Sequence, residues 1–397
     1  MSSHPASDLI LVLNCGSSSI KFALFDAATN PLSRTPAWHG KVEDITDPKP
    51  TFSQNDTVGE TVSLDAAQPY HSALAYLRQR IVARLNGRRI VAIAHRVVHG
   101  GSKYFAPVRV DAAVLTDLQS YIPLAPLHQP FALEAIAALL AELPQLTQVA
   151  CFDTAFHQSM PTVEKMLPLP RSVWNQGLRR YGFHGLSYAY QSQVLGERYG
   201  DVARGRSIVA HLGSGASLCA MRNLQSVATT MGFSALDGLM MGTRCGALDP
   251  GAVIYLMQIG KLSLERVGHM LYHESGLLGI SGVSADPRVL LPREHEPAVG
   301  EALALYVRSI VRELGALTAT LNGLDLLAFT AGIGEHNAVI RERVCIGLGY
   351  LGVAIDPAAN AADAPVISSA SSKVLVVVEP ANEEWVAASA ALPFLSR

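Results

Sequence analysis

The sequence has few charged residues and lacks a long apolar run. Charged side chains make up 16% of its 397 residues, hydrophobic ones 49%, and the formal net charge is −2. No basic field therefore favours nucleic acid or an anionic membrane. We expect neither a membrane span nor a signal peptide, because the longest apolar stretches are too short and no Lys or Arg precedes the first one. This composition is typical of a well-buried enzyme of two or three domains.

The sequence also lacks paired cysteines and the common catalytic motifs, which excludes several kinds of site. The five cysteines form no CxxC pair and are odd in number, so we expect no structural zinc and no disulfide framework. Free thiols are typical of the cytoplasm. The P-loop pattern, a GxGxxG after a strand, HExxH and GxSxG are all absent. His269 and His273 offer two ligands on one helical face, but without a third nearby a structural pair is favoured.

Short β-branched or leucine-rich runs alternate with helical patterns, which predicts an α/β architecture. The two apolar runs on either side of CGSSS (15–19) lie too close together for a helix between them and predict an antiparallel hairpin in a mixed sheet. Small residues in such a turn leave backbone N–H groups open to a close ligand, phosphate being the natural one. A tight hairpin that binds nothing is the alternative.

A second stretch repeats this pattern half a chain later. LVLNCGSSSIKFALF (11–25) and IVAHLGSGASLCAM (208–221) both read as strand, small-residue turn and strand. Gly16 and Gly213 correspond, and Asn14 corresponds to His211. A repeat at this spacing predicts duplication of a whole domain, with a cleft between the two copies in which both hairpins face one ligand.

Polar residues follow several of the predicted strands. In open α/β sheets, ligands bind outside the carboxyl ends of the strands, so these residues are candidates for a site. Taken singly, each has a structural alternative: Arg96 as a surface ion pair, Asp153 as a helix cap and His184 as a packed turn residue.

Together these stretches resemble one family, the acetate kinases of the acetate and sugar kinase/heat-shock/actin superfamily. The resemblance runs from about residue 10 to about residue 390 in order, without a large gap. It rests on NCGSSSIK (14–21), HRVVHGG (95–101), PLHQP (126–130), FDTAFH (152–157), RRYGFHG (179–185), HLGSGAS (211–217), MGTRCG (241–246), DPG (249–251), AGIGEHN (331–337) and NEE (382–384).

The resemblance implies a fold and a domain division. We expect two duplicated ribonuclease-H-like (actin-like ATPase) domains, each with a mixed sheet. The first would take residues 1–154 and a C-terminal helix, 386–397, and the second residues 155–385, with nucleotide binding and dimerisation. The implied protein is a cytoplasmic homodimer that binds neither nucleic acid nor membrane.

The resemblance also implies roles for individual residues. The catalytic positions are Arg96, Asp153, His184 and Arg244. The substrate positions are Arg96, Val98, Leu127, Phe183 and Ala235, and the metal positions for Mg²⁺, or Mn²⁺ in its place, are Asn14 and Glu383. The ATP/ADP positions are Ser17, Ser19, Lys21, His211, Leu212, Gly213, Ser214, Gly215, Asp286, Pro287, Arg288, Gly332, Ile333, Gly334, Glu335 and His336.

These residue types suit transfer of the γ-phosphoryl group of ATP to acetate. A carboxylate is already ionised at neutral pH, so the main obstacle is the approach of one anion to another. We interpret Arg96 as a clamp on the acetate carboxylate, and Arg244 and His184 as donors to the transferring phosphoryl oxygens. Asp153 is interpreted as orienting its neighbours, because acetate has no proton to remove.

Several positions depart from the usual pattern of the family: Leu186, Tyr188, Ser214, Ala235, Ala247 and His336. Ala235 stands where Pro is common beside the substrate. This leaves a propionate or short-chain acyl kinase as an alternative. A sugar or polyol kinase with Asp153 as base is a second alternative, although paired arginines suit a carboxylate better. A chaperone-like ATPase would need a peptide-binding domain, which we do not expect in the twelve residues after Trp385.

Overall fold

The computed structural model describes residues 8–16, 18–55, 57–126 and 128–395. The chain divides into two compact units. Unit 1 comprises the described residues of Met1–Ala155 and Asn382–Arg397, and unit 2 is Phe156–Ala381. Across the described ranges, no helix has both the length and the apolar character needed to cross a membrane.

Unit 1 is built on a mixed sheet. Within its described residues the strands are β1 Leu9–Cys15, β2 Ser19–Asp26, β3 Trp38–Glu43, β4 Thr51–Gln54, β5 Glu60–Thr61, β6 Ile90–Val97, β7 Val108–Arg109 and β8 Thr147–Phe152. Their order in the sheet is β5-β4-β3-β2-β1-β6-β8-β7. The predicted hairpin of β1 and β2 is confirmed as antiparallel, while β1, β6 and β8 run parallel. The carboxyl ends of these three strands therefore share one edge of the sheet.

Four helices cover the described part of this sheet: α1 Pro69–Arg84, α2 Ala112–Ser120, α3 Gln129–Glu142 and, last in the chain, α15 Glu383–Ala391. Leu9, Leu11 and Leu13 of β1 pack in one core cluster with residues of α1 and α3. Successive strand residues point to opposite faces, so Asn14 belongs to the other face. That face is the one α15 covers, because α15 places the Ala387 carbonyl 4.0 Å from the Cys151 thiol of β8. This helix begins three residues before its predicted start, since the Asn382 side chain caps its first turn.

Unit 2 repeats the core of this arrangement. Its strands are β9 Arg206–Leu212, β10 Ala216–Arg222, β11 Gln225–Thr229, β12 Leu326–Thr330 and β13 Leu375–Val378, in the order β11-β10-β9-β12-β13. The first three strands are antiparallel, and β9, β12 and β13 run parallel. The series β3-β2-β1-β6-β8 of unit 1 has the same order and the same directions. The predicted duplication and the α/β class are therefore confirmed.

The helices of unit 2 lie between and before these strands. They are α4 Thr162–Lys165, α5 Arg171–Asn175, α6 Gly185–Arg204, α7 Pro250–Gln258, α8 Leu264–His273, α9 Gly276–Ser281, α10 Pro287–Leu290, α11 Pro297–Leu321, α12 Ala331–His336, α13 Ala338–Gly347 and α14 Pro357–Ala361. Short 3₁₀ turns occur at Ile122–Leu124, Ala155–Ser159, Leu291–Arg293, Gly349–Leu351 and Leu392–Phe394. The long helix α11 carries a buried apolar stripe that packs on β9 and β10.

Candidate active site

The edge of unit 1 at which β1, β6 and β8 end carries the polar residues singled out from the sequence. Arg96 is the penultimate residue of β6, and Asp153 directly follows β8. Val97 and Phe152 belong to the core cluster with α2 and α3, so the alternation of the strands turns Arg96 and Asp153 to the opposite face. Asn14 lies on that same face. The fold thus brings together three residues that are far apart in the sequence.

Arg96 and Asp153 form a multiply hydrogen-bonded ion pair. Arg96 Nε lies 3.1 Å from both carboxylate oxygens, and Nη2 lies 2.6 Å from Oδ2. Asp153 is buried, with 2% of its surface exposed. Burial opposes the charge of Arg96, but the carboxylates of Asp153 and Glu383 outweigh it and raise the pKa of the guanidinium above its ordinary value. The pair holds the guanidinium plane in one orientation.

Asn14 and Glu383 approach the remaining nitrogen of the same guanidinium. Arg96 Nη1 lies 3.4 Å from Asn14 Oδ1 and 3.8 Å from Glu383 Oε2. Burial raises the pKa of Glu383, although the nearby Arg96 opposes this. An amide oxygen and a carboxylate are hard oxygen ligands, which fit Mg²⁺ or Mn²⁺. The described residues contain no cluster of three or more His, Cys, Asp or Glu side chains that could hold a metal.

The predicted nucleotide positions of unit 1 lie in its hairpin. Lys21 stands directly opposite Asn14 in the β1–β2 pairing, on the same face of the sheet, and its side chain is exposed. It lines an open cavity of about 750 Å³ together with Arg34, His39 and Lys41. Ser19 starts β2, and its carbonyl accepts a 2.8 Å hydrogen bond from the Gly16 amide. The predicted Ser17 lies outside the described residues.

In unit 2, His184 occupies a strained position immediately before α6. Its φ of 58° places it in the left-handed region, which a non-glycine residue seldom adopts. Its Nδ1 lies 2.8 Å from Ser217 Oγ, which is also 2.5 Å from Tyr188 Oη. The imidazole stacks on that of His211, with ring centroids 4.1 Å apart. Tyr188, which departs from the usual family pattern, thus contacts the same Ser217 hydroxyl that orients His184.

Arg244 and His184 both approach Gly215, in the turn between β9 and β10. A Cβ atom built on Gly215 would lie 3.2 Å from His184 Nε2 and 3.5 Å from Arg244 Nη1. Arg244 Nη1 also donates to the Ala235 carbonyl at 3.0 Å. Two nitrogen-bearing side chains therefore flank a turn whose only side chain, that of Ser214, is exposed. This is an arrangement suited to an anionic group.

The other glycine turn predicted for nucleotide binding follows β12 and lies beside this hairpin. A Cβ on Gly213 would lie 3.6 Å from the Ala331 Cβ, and Ala331 has a left-handed φ of 65°. Gly332–His336 continues as α12, in which the departure His336 is exposed. The third predicted segment, Asp286–Arg288, starts α10, where Asp286 caps the helix and pairs with Arg288 at 2.6 Å.

The predicted substrate residues lie in both units. Val98 follows β6 in unit 1 and is partly buried. In unit 2, Phe183 is buried beside His184, and Ala235 is partly buried and contacts Arg244 through its carbonyl. Leu127 lies outside the described residues. The departures Leu186 and Ala247 are buried and exposed, respectively.

Three residues that support the site were not identified from the sequence. His157 Nε2 lies 2.9 Å from the Phe183 carbonyl. Arg180 Nη1 contacts the carbonyls of Thr230 and Met231, before the Ala235 loop. Arg341 is fully buried and donates to the Gly334 and Glu335 carbonyls. Arg180 stands inside RRYGFHG and His157 ends FDTAFH, so these two motifs offered a signal, while nothing in the sequence marks Arg341 as buried.

Comparisons with known proteins identify the family of the chain. The model of the acetokinase family matches residues 9–389. An acetate kinase of Rhodopseudomonas palustris (strain TIE-1) is 48% identical over 384 residues, covering 95% of this chain and 96% of that protein. Two solved structures are each 35% identical. The Porphyromonas gingivalis acetate kinase has a TM-score of 0.86, with 98% of this chain and 100% of that chain covered. A propionate kinase from Francisella tularensis subsp. tularensis SCHU S4 has a TM-score of 0.88, with 96% and 98% covered.

The match spans nearly the whole chain, and the matched stretch includes the candidate site residues described above in each unit. The relatives are covered along almost their full length as well. The chain belongs to the acetokinase family.

Proposed function

We propose that this chain transfers the γ-phosphoryl group of ATP to the carboxylate of acetate, forming acetyl phosphate and ADP in a reversible reaction. The observation that carries the proposal is the approach of both His184 Nε2 and Arg244 Nη1 to Gly215. A transferring phosphoryl group spreads negative charge over its equatorial oxygens, and fixed donors beside a glycine turn stabilise that charge.

Arg96 is proposed to bind the substrate carboxylate. Its guanidinium is held in place by Asp153, so acetate would meet a donor already oriented for it. The carboxylate attacks the γ-phosphorus through one oxygen, the new P–O bond forms as the bond to the β-phosphate oxygen breaks, and ADP leaves. No proton is removed from acetate in this step. Asp153 is therefore assigned an orienting role.

Asn14 and Glu383 would hold Mg²⁺, or Mn²⁺ in its place. When bound, the cation supplies positive charge that offsets the charge of the nucleotide phosphates. The geometry fits a divalent cation, because the side-chain oxygens of Asn14 and Glu383 both lie near the same nitrogen of Arg96. Both residues belong to one edge of unit 1.

Nucleotide binding is proposed for the glycine turns and their neighbours. The backbone amides of His211–Gly215 and of the turn at Gly332–His336 would contact phosphate and nucleoside. The remaining predicted contacts are Ser17, Ser19, Lys21 and Asp286–Arg288. The two half-sites lie on different units, and we propose that they serve one reaction.

The apolar residues Val98, Leu127, Phe183 and Ala235 are proposed to surround the methyl group of acetate. Propionate is a second candidate substrate. It is favoured by Ala235, which is smaller than the proline common at this position of the family, and one structural relative carries the name propionate kinase.

We also propose a cytoplasmic homodimer. All five cysteines are free thiols, which suits a reducing compartment. Helix α7 is apolar yet has no buried residue, and it exposes 54% of Ile254 and 60% of Tyr255. Covering such a helix with a second copy would remove apolar surface from water. In size-exclusion chromatography with light scattering, Ile254→Asp should shift a dimer to monomer. The matched control Val58→Asp, at an exposed apolar residue of unit 1, should stay dimeric.

The function is tested by trapping the acyl phosphate. The purified chain is incubated with ATP, Mg²⁺ and hydroxylamine, and acetate, propionate, butyrate or glycerol is added separately. Hydroxamate should form with acetate and to a lesser extent with propionate. Absence of hydroxamate with all three acids, or ADP release that depends on glycerol, would contradict the proposal.

A further inference from the structure

The backbone at Glu379–Ala381, which follows β13 and precedes the passage of the chain into unit 1, is held by consecutive hydrogen bonds within unit 2. The Glu379 amide donates to the Phe329 carbonyl at 3.0 Å. Gln191 Nε2 donates to the carbonyls of Glu379 and Pro380 at 3.1 and 3.2 Å. The Ala381 amide donates to the carboxylate of Glu335 at 2.9 Å. We name residues 379–381 the crossing segment.

The start of the crossing segment is further fixed by the side chain of Glu379. Its carboxylate is buried, with 1% exposed, and accepts hydrogen bonds from Arg198 at 2.7 Å and from the Tyr199 hydroxyl at 2.7 Å. Arg198 and Tyr199 both belong to α6, the helix that begins beside His184. The segment is therefore held at its first residue by backbone and side-chain hydrogen bonds, and its last residue is held by Glu335.

The same side chains connect the crossing segment to the glycine turn after β12. Gln191 Nε2 also contacts Thr330 Oγ1 at 2.9 Å, and Thr330 immediately precedes that turn. Glu335 is itself part of the turn, and its side chain is 15% exposed. Glu335 Oε1 accepts the hydrogen bond from the Ala381 amide. This role needs an acceptor atom but no charge.

We infer that the side chain of Glu335 positions the backbone of the chain and is not itself a ligand of the nucleotide. Its carboxylate fixes the Ala381 amide and so ties the glycine turn to the segment from which the chain reaches Glu383 two residues later. The inference rests on the proposed function, in which the turn binds nucleotide and Glu383 holds the cation. The carboxylate of Glu335 thereby links nucleotide binding at the turn to cation binding at Glu383.

Loss of this link has a defined consequence. Without Glu335, the Ala381 amide loses its partner, and the crossing segment keeps only the hydrogen bonds at its first two residues. Glu383 would then be less well placed, so the cation-dependent part of nucleotide affinity should fall while cation-free binding stays the same. The coupling is reciprocal, so nucleotide should also tighten cation binding less in the variant than in the wild type.

The test is calorimetric titration of ADP into the full chain, with and without Mn²⁺. In the wild type, Mn²⁺ should tighten ADP binding. In Glu335→Ala we expect this manganese effect to shrink by about tenfold, the scale of one hydrogen bond to a charged acceptor. Glu335→Gln keeps an acceptor oxygen and should recover the effect to within about threefold of wild type. Glu342→Ala removes an exposed carboxylate of α13 and is the matched control.

Three results would overturn the inference: an equal loss of ADP affinity with and without Mn²⁺ in Glu335→Ala, a Glu335→Gln variant as weak as Glu335→Ala, or an unchanged Glu335→Ala. If Glu335→Ala does not fold, Gln191→Met tests the same link, because it removes the hydrogen bonds to the Glu379 and Pro380 carbonyls. It should also reduce the gain in ADP affinity that Mn²⁺ causes. Glu383→Gln tests the proposed function separately. A wild-type manganese effect in that variant refutes the metal assignment, whatever the Glu335 variants show.

Discussion

The hairpin of β1 and β2 and the hairpin of β9 and β10 occupy the same place in the five-stranded core that the two sheets share, yet they present different chemistry. In unit 1, Asn14 near the end of β1 lies beside the side chains of Arg96 and, from α15, Glu383. In unit 2, the corresponding His211 stacks on His184, and the turn beyond it is nearly bare backbone. The two copies of the duplicated fold thus carry different groups at the same place: the side chains of Asn14, Arg96 and Glu383 in unit 1, and in unit 2 a nearly bare turn that His184 and Arg244 approach.

The helices that cover the two faces explain part of this difference. In unit 1, α15 starts with a capped first turn and presents the carboxylate of Glu383. In unit 2, α6 is preceded by His184 in a left-handed conformation, which directs an imidazole toward the hairpin. The unit 1 half-site is built around ion pairs that orient a guanidinium. In unit 2, Gly213 and Gly215 carry no side chains, so the backbone of the turn is left uncovered at these two positions.

The largest effect is expected when the unit 2 half-site loses its guanidinium. Arg244→Ala should lower kcat by roughly 10²–10³-fold, because its partner charge is greatest in the transition state. The measurement is steady-state formation of acetyl phosphate, with thermal unfolding as a control for folding. Near-wild-type turnover would show that Arg244 does not act on the phosphoryl group.

Breaking the orienting pair of unit 1 should have a somewhat smaller effect on rate. Asp153→Asn keeps the size of the side chain but removes the charge that holds Arg96, so kcat should fall about 10²-fold at every pH. The pH–rate profile should keep its shape, since no proton transfer is lost. An acidic limb that is present in the wild type and vanishes in the variant would instead identify Asp153 as a base.

Equivalent glycine substitutions compare the two hairpins directly. Gly215→Ala places a methyl group 3.2 Å from His184 Nε2, so it should displace that side chain and lower kcat about tenfold. Gly16→Ala places its methyl group at an ordinary 3.4 Å from the Ser19 carbonyl and should change kcat by no more than about twofold. Equal losses in both variants would mean that the two hairpins face the same spatial constraint.

The smallest effect concerns substrate choice. We expect the wild type to prefer acetate over propionate by less than about tenfold, because Ala235 leaves space beside the methyl group that one methylene can fill. Ala235→Pro should increase the preference within the roughly 10–200-fold range of a methylene pocket. The measurement is kcat/KM for both acids in both proteins. A wild type that already rejects propionate a hundredfold, or a ratio unaltered by proline, would refute the role of Ala235.

The sequence could predict those parts of the molecule that depend on local pattern. The hairpin at CGSSS and the candidate residues after β6 and β8 follow from strand periodicity and from the rule that sites lie at strand ends. The contact between Glu335 and Ala381 could not be predicted, because it joins residues far apart in the chain through one backbone amide. The burial of Arg341 could not be foreseen either, since a lone arginine in a helix is ordinarily exposed. The predicted domain boundaries and residue roles stay predictions.

The most direct test of the division between the two half-sites is the KM for acetate in Arg96→Ala and in Arg244→Ala. If Arg96 clamps the substrate carboxylate in unit 1, Arg96→Ala should raise the KM for acetate about tenfold or more and also lower kcat. Arg244→Ala should leave that KM within about threefold of wild type while kcat collapses. An unchanged acetate KM in Arg96→Ala, or equal increases in both variants, would contradict the account.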